Sequence, residues 1–301
     1  MNKTIIIITG ATASGKTDLA IAIAKHFTTE IISADSRQCF KELNIGVAKP
    51  SAAQLSSIHH YFIDSHSIEE KVTAITFENY ALAALEKIFL KNDIAVMVGG
   101  TGLYIKAFCE GLDPIPTVTE EIKEFIKKSY AAGGLKWLQE EVHIKDPEFF
   151  KIGEKDNPRR MMRALEVMLQ TNRSVTTFQS GKKIKRNFQI IKIGLELHRE
   201  ELYKRINSRV DKMLDSGLVK EAENLYKYKD LNALQTVGYR ELFSFFAGEI
   251  NLSKAVELIK QNSRHYAKRQ LTWFKKDEEI TWVNAHVQAN NVIRRIEEIV
   301  R

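Results

Sequence analysis

The chain has 301 residues, of which 44% are hydrophobic and 28% charged, a globular mixture that excludes a disordered or fibrous protein. Two cysteines cannot build a disulfide framework, and no leader or membrane-spanning run is recognised, so we expect a cytoplasmic protein with no membrane attachment. Residues 1–112 carry a net charge of −1 and residues 113–301 carry +8, which favours a polyanionic partner, although solvated helical surfaces share this signature.

The first third of the chain alternates predicted strands with predicted helices. Short runs of β-branched and apolar residues predict strands at 3–9, 30–34 and 94–98. Between them, apolar residues at helical spacing predict helices at 17–27 and 73–90. This alternation indicates right-handed βαβ units and therefore an α/β fold with a parallel sheet flanked by helices.

The pattern changes at Leu112–Pro116, where two prolines suggest a domain boundary. Residues 117–180 show helical patterning without a convincing strand. We therefore predict a core made of residues 1–114 and 188–301 and an inserted, mainly helical arm at 115–187. Residues 190–197 are the last predicted strand, which should rejoin the sheet. Further helices are predicted at 199–216, 218–228, 239–247 and 253–276.

A phosphate-loop motif, GxxxxGK[ST], lies between the first strand and the first helix. Its residues are Gly10, Ala11, Thr12, Ala13, Ser14, Gly15, Lys16 and Thr17. The glycines let backbone N–H groups face phosphate oxygens, and the helix N-terminus and Lys16 add positive charge. The Thr17 hydroxyl is placed to bind Mg²⁺. The motif predicts a bound di- or triphosphate, either a nucleotide such as ATP or another diphosphate.

The reaction is left open by the loop alone. Nucleotide-hydrolysing proteins with this loop usually carry an acidic residue at the end of an apolar strand, but the strand at 94–98 ends in Gly99-Gly100-Thr101-Gly102. The strand-end carboxylate is instead Asp35. Since ligands bind at the carboxyl edge of open α/β sheets, Asp35 and Thr101 are expected to face the phosphate loop. A simple turn or helix-capping role is the alternative for each.

Seven segments in order resemble the bacterial tRNA dimethylallyltransferases, also called tRNA isopentenyltransferases. The first three are GATASGKT, DSRQCFKELNIGVAKP (Asp35–Pro50) and GGTGLYIKA (Gly99–Ala107). The others are NPRRMMRALEV from Asn157, the helix RINSRVDKMLDSGLVKE from Arg205, QTVGYRE from Gln235 and YAKRQLTWF from Tyr266. The resemblance covers nearly the whole chain.

The resemblance implies an enzyme that moves a dimethylallyl group from dimethylallyl diphosphate to N6 of the adenosine 3′ of the tRNA anticodon. The products are N6-isopentenyladenosine and diphosphate. By correspondence, Asp35 is the general base, Thr101 helps to hold the reacting centre, and Arg209 or Arg205 reaches the diphosphate. Mg²⁺ is the implied cofactor. Backbone N–H groups of the loop, Lys16, Mg²⁺ and the arginine would stabilise the negative charge that develops on the leaving diphosphate.

The resemblance also implies a set of tRNA contacts with the anticodon stem-loop, from which the target base must be extruded. In the core these are Asp35, Ser36, Arg37, Gln38, Thr101, Gln235, Thr236, Gly238, Tyr239 and Arg240. In the inserted arm they are Lys123, Arg159, Arg160 and Arg163. The segment Arg159–Arg163 has its own intervening residues, so only its basic positions carry over.

Two other function classes are compatible with parts of the sequence. A kinase of a small metabolite or nucleoside shares the phosphate loop and the sheet, and ATP turnover without tRNA would favour it. A non-catalytic RNA-binding module is the second alternative, but mere binding needs no base at the ligand edge. We expect the enzyme to be a monomer.

Overall fold

The structure, a computed structural model, describes residues 3–300. Within these residues the strands are β1 (Thr4–Gly10), β2 (Ile31–Ala34), β3 (His60–Tyr61), β4 (Ile94–Gly99), β5 (Gln189–Glu196) and β6 (Ile280–Asn284). The helices are α1 (Lys16–His26), α2 (Ala52–Ser57), α3 (Ala74–Phe89), α4 (Gly102–Glu110), α5 (Glu120–Lys145), α6 (Pro147–Ile152), α7 (Pro158–Thr171), α8 (Arg199–Asp215), α9 (Leu218–Leu225), α10 (Tyr239–Phe246), α11 (Leu252–Phe274) and α12 (Ala289–Val300). Short 3₁₀ helices lie at Val175–Phe178, Tyr226–Tyr228 and Asn232–Leu234. None of the helices in this part of the chain combines the length and hydropathy needed to cross a membrane.

The strands form one parallel sheet in the order β3-β2-β4-β1-β5-β6. This confirms the predicted α/β fold. The central strand β1 is buried on both faces, which explains its unbroken run of isoleucines. Ile5 and Ile7 pack on one side of the sheet with α3 and α4, whereas Ile6 and Ile8 pack on the other with α1 and α12.

The strand order determines where a ligand can bind. From β1 the chain passes to β2, which lies toward one edge of the sheet. From β4 it passes to β5, which lies toward the other edge, so the direction of winding reverses between the neighbouring strands β1 and β4. A crevice forms at the carboxyl ends of strands at such a point. The phosphate-loop motif follows β1, the segment Asp35–Gln38 follows β2, and Gly100–Gly102 follows β4. All three therefore lie at one edge of the sheet.

The chain divides into two compact units. One contains the sheet and comprises the described residues up to Glu110 together with those from Lys185 onward. The other comprises Gly111–Ile184 and packs α5 and α7 around its own core of Leu138, Val142 and Met161. It has no strand, in line with its helical pattern, and α5 is kinked at Gly134. That residues 115–187 form a tRNA-binding arm stays a prediction.

Two elements at the end of the sheet unit, β6 and α12, were not predicted from the sequence. The interpretation of residues 190–197 as the last strand is wrong, because β6 follows and pairs with β5 from Lys192↔Ile280 to Glu196↔Asn284. This edge strand has five residues, of which only Ile280 and Val283 are buried, and it directly follows a charged segment, so it lacks a long apolar run. Helix α12 then covers the face that contains Ile6.

Candidate active site

The phosphate-loop motif turns from β1 into α1 within five residues. Gly10 has φ +133°, and a Cβ there would lie 2.5 Å from the carbonyl oxygen of Leu195 on the neighbouring strand. Gly15 is the N-cap of α1, with φ +92°. Both positions therefore require glycine. Ser14 is fully buried and its Oγ has no hydrogen-bond partner among the described residues. A buried orphan hydroxyl beside a helix N-terminus is suited to a ligand that accepts hydrogen bonds.

Lys16 folds back over the loop. Its Nζ donates a hydrogen bond of 2.6 Å to the carbonyl oxygen of Ala11. Burial of the ammonium group lowers the pKa of Lys16 to about 7; the charge of Arg209 lowers it further, while that of Asp35 opposes the change. A polyanion bound in the crevice would favour the charged form of Lys16. Ligand binding would therefore increase the fraction of Lys16 that is protonated.

The structure distinguishes the two arginines of α8 that the resemblance left open. Arg209 donates to Oγ1 of Thr12 in the loop at 3.0 Å and to the carbonyl oxygen of Ala48 at 3.4 Å. Burial lowers its pKa, which the charge of Asp35 opposes, but a guanidinium stays charged. Arg205 instead forms an ion pair of 2.8 Å with Glu201, one turn earlier on the same helix. Of the two, Arg209 lies at the phosphate loop.

Asp35 closes a tight turn at the end of β2. Its Oδ1 accepts hydrogen bonds from the backbone N–H groups of Arg37 at 2.9 Å and Gln38 at 3.3 Å. No hydrogen bond from the described residues reaches its Oδ2. The turn role that the sequence left as an alternative is therefore present. It occupies one carboxylate oxygen and leaves the other for a ligand.

Thr101 joins this turn to the strand beside it. Its Oγ1 accepts a hydrogen bond of 3.1 Å from the N–H of Ser36, and its own N–H donates to the carbonyl of Ala34 at 3.2 Å. Tyr266, on α11, lines the same crevice as Asp35. Burial of the Tyr266 hydroxyl, assisted by the charge of Asp35, raises the pKa of that phenol to about 12. Thr101 and Asp35 are therefore fixed relative to each other.

One crevice brings several of these side chains together. Its lining includes Lys16, Thr17, Asp35, Gln38, Arg209 and Tyr266. A second, mainly apolar cleft of about 460 Å³ adjoins it, with Arg209 and Pro50 on the walls of both. No cluster of three or more His, Cys, Asp or Glu side chains suited to a metal ion occurs in residues 3–300. Thr17 lines the crevice, and its hydroxyl is the type of ligand that a hard cation bound to a diphosphate prefers.

Two further residues of the crevice were not recognised as site residues from the sequence. Gln270 is buried and its amide bridges two loops, accepting from Thr12 N–H at 2.8 Å and donating to the carbonyl of Gly100 at 2.9 Å. His60 is 7% exposed. Its Nδ1 lies 2.8 Å from the carbonyl oxygen of Ile58, and its Nε2 has no partner among the described residues. Gln270 lies within the matching segment YAKRQLTWF, which by itself gives the glutamine no role, and His60 belongs to none of the seven segments.

The predicted tRNA contacts near α10 fall into two groups. Arg240 is exposed, and Gln235 and Thr236 are partly exposed. Gly238 and Tyr239 are buried, and Tyr239 has no exposed surface at all. In this structure Tyr239 therefore has no surface that a tRNA could contact. Among the residues after β2, Ser36, Arg37 and Gln38 are partly exposed.

The predicted contacts of the 111–184 unit lie on α5 and α7. Arg159 and Arg160 are exposed at the start of α7, which Asn157 caps, and Arg160 pairs with Glu154. Other basic positions are also paired. Lys123 contacts Glu120 at 2.6 Å, and Arg163 contacts Glu166 at 3.2 Å. Their roles in tRNA binding stay predictions.

The fold and the crevice define an α/β protein with a phosphate-loop motif and a strand-end carboxylate at one sheet edge. Residues 38–277 match the model of the family described as IPP transferase. The chain is 48% identical over 297 residues to a tRNA dimethylallyltransferase of Christiangramia forsetii, covering 99% of this chain and 98% of that protein. It is 47% identical to the enzyme of that name from Cytophaga hutchinsonii, covering 94% and 93%. The chain belongs to the IPP transferase family.

Solved structures agree with this assignment. The tRNA isopentenylpyrophosphate transferase of Bacillus halodurans superposes with a TM-score of 0.72 at 31% identity, covering 99% of this chain and 95% of that one. A eukaryotic dimethylallyltransferase acting on tRNA gives 0.81 at 24% identity, covering 99% and 79%, a likeness of fold. The resemblance seen in the sequence and the predicted enzyme class, a tRNA prenyltransferase, are confirmed.

Proposed function

We propose that this enzyme transfers the dimethylallyl group of dimethylallyl diphosphate to N6 of the adenosine 3′ of the anticodon in tRNA. One observation carries the proposal: the phosphate-loop cations and the carboxylate of Asp35 line the same crevice. The cations can stabilise a diphosphate leaving group, and the carboxylate can accept the proton of an incoming amine. A protein that only binds RNA needs no such base.

The donor end of the reaction depends on the phosphate loop. The bond from C1 of the dimethylallyl group to the diphosphate oxygen breaks, and negative charge grows on the departing diphosphate. Lys16 and Arg209 stabilise that charge, together with the N–H groups at the start of α1. Arg209 is held by Thr12 and Ala48 and needs little reorganisation. The adjoining apolar cleft offers room for a hydrocarbon group beside Arg209.

The acceptor end depends on Asp35. As the bond from N6 to C1 forms, the nitrogen loses a proton, which Oδ2 of Asp35 accepts. Oδ1 keeps the turn closed through the amides of Arg37 and Gln38, so the base does not move when it is protonated. Thr101 accepts a hydrogen bond from the N–H of Ser36 and so holds the turn that contains Asp35. In-line displacement at C1 would place the amine beside Asp35 and the diphosphate beside the phosphate loop.

Mg²⁺ fits the donor set of the crevice. Its oxygen ligands would be the Thr17 hydroxyl, phosphate oxygens and water, a combination typical of this ion. When bound, the ion neutralises part of the diphosphate charge. Every other contribution comes from the side chains described above.

Basic residues outside the crevice bind the tRNA backbone in this proposal. The excess of positive charge lies beyond residue 112, and Arg159, Arg160 and Arg240 are exposed. The target base must leave its stack to bring N6 to Asp35. A cytoplasmic, monomeric enzyme stays a prediction.

The experiment that tests the proposal is an incubation of the protein with unmodified tRNA, dimethylallyl diphosphate and Mg²⁺, followed by digestion and mass spectrometry of the nucleosides. Formation of N6-isopentenyladenosine at the position 3′ of the anticodon supports it. ATP turnover in the absence of tRNA, with no modified nucleoside, would support the kinase alternative instead.

A further inference from the structure

Glu221 on α9 lies outside the crevice, yet its carboxylate makes four hydrogen bonds. Oε2 accepts from the backbone N–H groups of Asn44 at 3.1 Å and Ile45 at 2.8 Å, and Oε1 accepts from Gly46 at 2.9 Å. Oε1 also accepts from the hydroxyl of Tyr239 at 2.6 Å. Three consecutive amides on one carboxylate fix the backbone of residues 44–46, and charge-assisted bonds of this kind are stronger than neutral ones.

Tyr239 completes this arrangement from α10. The side chain is fully buried, and burial together with the charge of Glu221 raises the pKa of its hydroxyl, which therefore stays a donor. A Cβ on Gly46 would lie 2.7 Å from the tyrosine ring, so the segment approaches the ring with no room for a side chain. Glu221 and Tyr239 thus hold residues 44–46 from two helices.

The segment held in this way continues directly into the crevice. The carbonyl oxygen of Ala48 accepts hydrogen bonds from Nη2 of Arg209 at 3.4 Å and from Nε2 of Gln38 at 3.0 Å. The carbonyl of Val47 accepts from the same Gln38 nitrogen at 3.3 Å. Ala48 has φ +48°, an unfavourable conformation for alanine that persists only where the surroundings impose it. Residues 44–46 are the part of those surroundings that Glu221 controls.

We propose that Glu221 is a positioning residue for the donor site: it fixes residues 44–46 so that the carbonyl of Ala48 orients Arg209, and Gln38 beside it, toward the crevice. This inference rests on the proposed function only for the identity of the donor, because Arg209 would meet any diphosphate bound at the loop. It also gives Tyr239 a role through Glu221 in place of a direct contact with tRNA.

The test uses the full chain with Glu221→Gln. A glutamine has one acceptor oxygen and an NH₂ group that faces two of the former donors, so it cannot satisfy all four bonds. The matched control is Glu223→Gln on the same helix, whose carboxylate contacts only Lys220 in the described contacts, at 2.6 Å. Tyr239→Phe removes one bond of the four and keeps the ring that packs on Gly46.

Three measurements are made on each variant. Hydrogen exchange of the backbone amides of residues 44–46 should become at least about tenfold faster in Glu221→Gln and stay unchanged in the control. The Kd of inorganic diphosphate, measured by calorimetry without tRNA, should weaken roughly tenfold, and kcat/KM for dimethylallyl diphosphate should fall by about 10–100-fold. Tyr239→Phe should shift all three in the same direction but less.

The results separate positioning from a merely structural role. Faster exchange with unchanged diphosphate affinity and an unchanged KM for the donor would overturn the inference, since the segment would then be loose without affecting Arg209. Unchanged exchange would overturn it as well. If Tyr239→Phe raised only the KM for tRNA, the tyrosine would act on tRNA and not through Glu221. Because exchange and diphosphate binding need no turnover, failure of the proposed tRNA reaction would leave both readouts decisive.

Discussion

The substitution Asp35→Asn tests the proposed general base with little disturbance of the fold. Asparagine keeps an oxygen at the position of Oδ1, so the hydrogen bonds from Arg37 at 2.9 Å and Gln38 at 3.3 Å are retained. Asparagine is also among the best substitutes for aspartate in a turn. The free energy of unfolding should therefore change by less than about 1 kcal/mol.

The catalytic loss should be large by comparison. The amide cannot take the proton of N6, and a lost general base costs on the order of 10²–10⁴-fold in rate, or about 2.7–5.5 kcal/mol of activation free energy. Donor affinity should not weaken. The substitution removes an anion beside Lys16 and Arg209, which leaves the crevice more positive for the diphosphate.

The assay is a single-turnover measurement with both substrates saturating, and formation of N6-isopentenyladenosine is followed by mass spectrometry. Asp18→Asn is the control, because Asp18 is exposed on α1 and bonds only to Gln54 in the described contacts, at 2.9 Å. A rate for Asp35→Asn within threefold of the wild type would refute the general-base assignment. A preserved rate with a large loss of tRNA affinity would make Asp35 a recognition residue for the extruded base.

Three other outcomes are expected from the same geometry. Arg209→Gln should weaken binding of dimethylallyl diphosphate by at least tenfold in calorimetry, whereas Arg205→Gln, which breaks an ion pair on α8, should change it less than threefold; equal effects would contradict the assignment. Lys16→Met should abolish donor binding yet raise the melting temperature. Because the folded-state pKa of Lys16 is lowered to about 7, the cost of burying its charge is complete below pH 7 and vanishes toward pH 10.5, so the gain should be largest near pH 6.5 and shrink with rising pH. Lys123→Gln should make the slope of log Kd for tRNA against log salt concentration shallower by roughly one unit if Lys123 contacts a phosphate, and an unchanged slope would remove it from the interface.

The parts of the site that follow strands were predictable from the sequence, because each is a local pattern. The loop from Gly10 to Thr17 and the polar residues Asp35 and Thr101 come directly after buried apolar runs, and parallel strands bring their carboxyl ends to one edge. The pairing of the strands then places these residues together. No long-range information was needed for this step.

The contacts that hold the site together were not predictable in this way. Gln270 lies 258 residues from Thr12, and although it falls within the segment YAKRQLTWF, nothing in that segment indicates that its side chain bridges two loops. Trp273 is 40% exposed, although its neighbour Phe274 at the end of α11 is buried. In each case the environment comes from elements distant in sequence, which helical periodicity does not report.

The strand order also has a consequence for the synthesis of the chain. β1 pairs with β4 on one side and β5 on the other, and β5 is made only after about 90 further residues, including the whole 111–184 unit. At roughly 5–20 residues per second, a nascent chain in which β1 and β4 have already paired keeps the other edge of an isoleucine-rich strand open for about 5–20 s. Such an edge is a template for pairing with other chains. To fold without aggregation, a nascent chain of this topology therefore needs either a chaperone that covers the open edge or delayed pairing of β1 with β4.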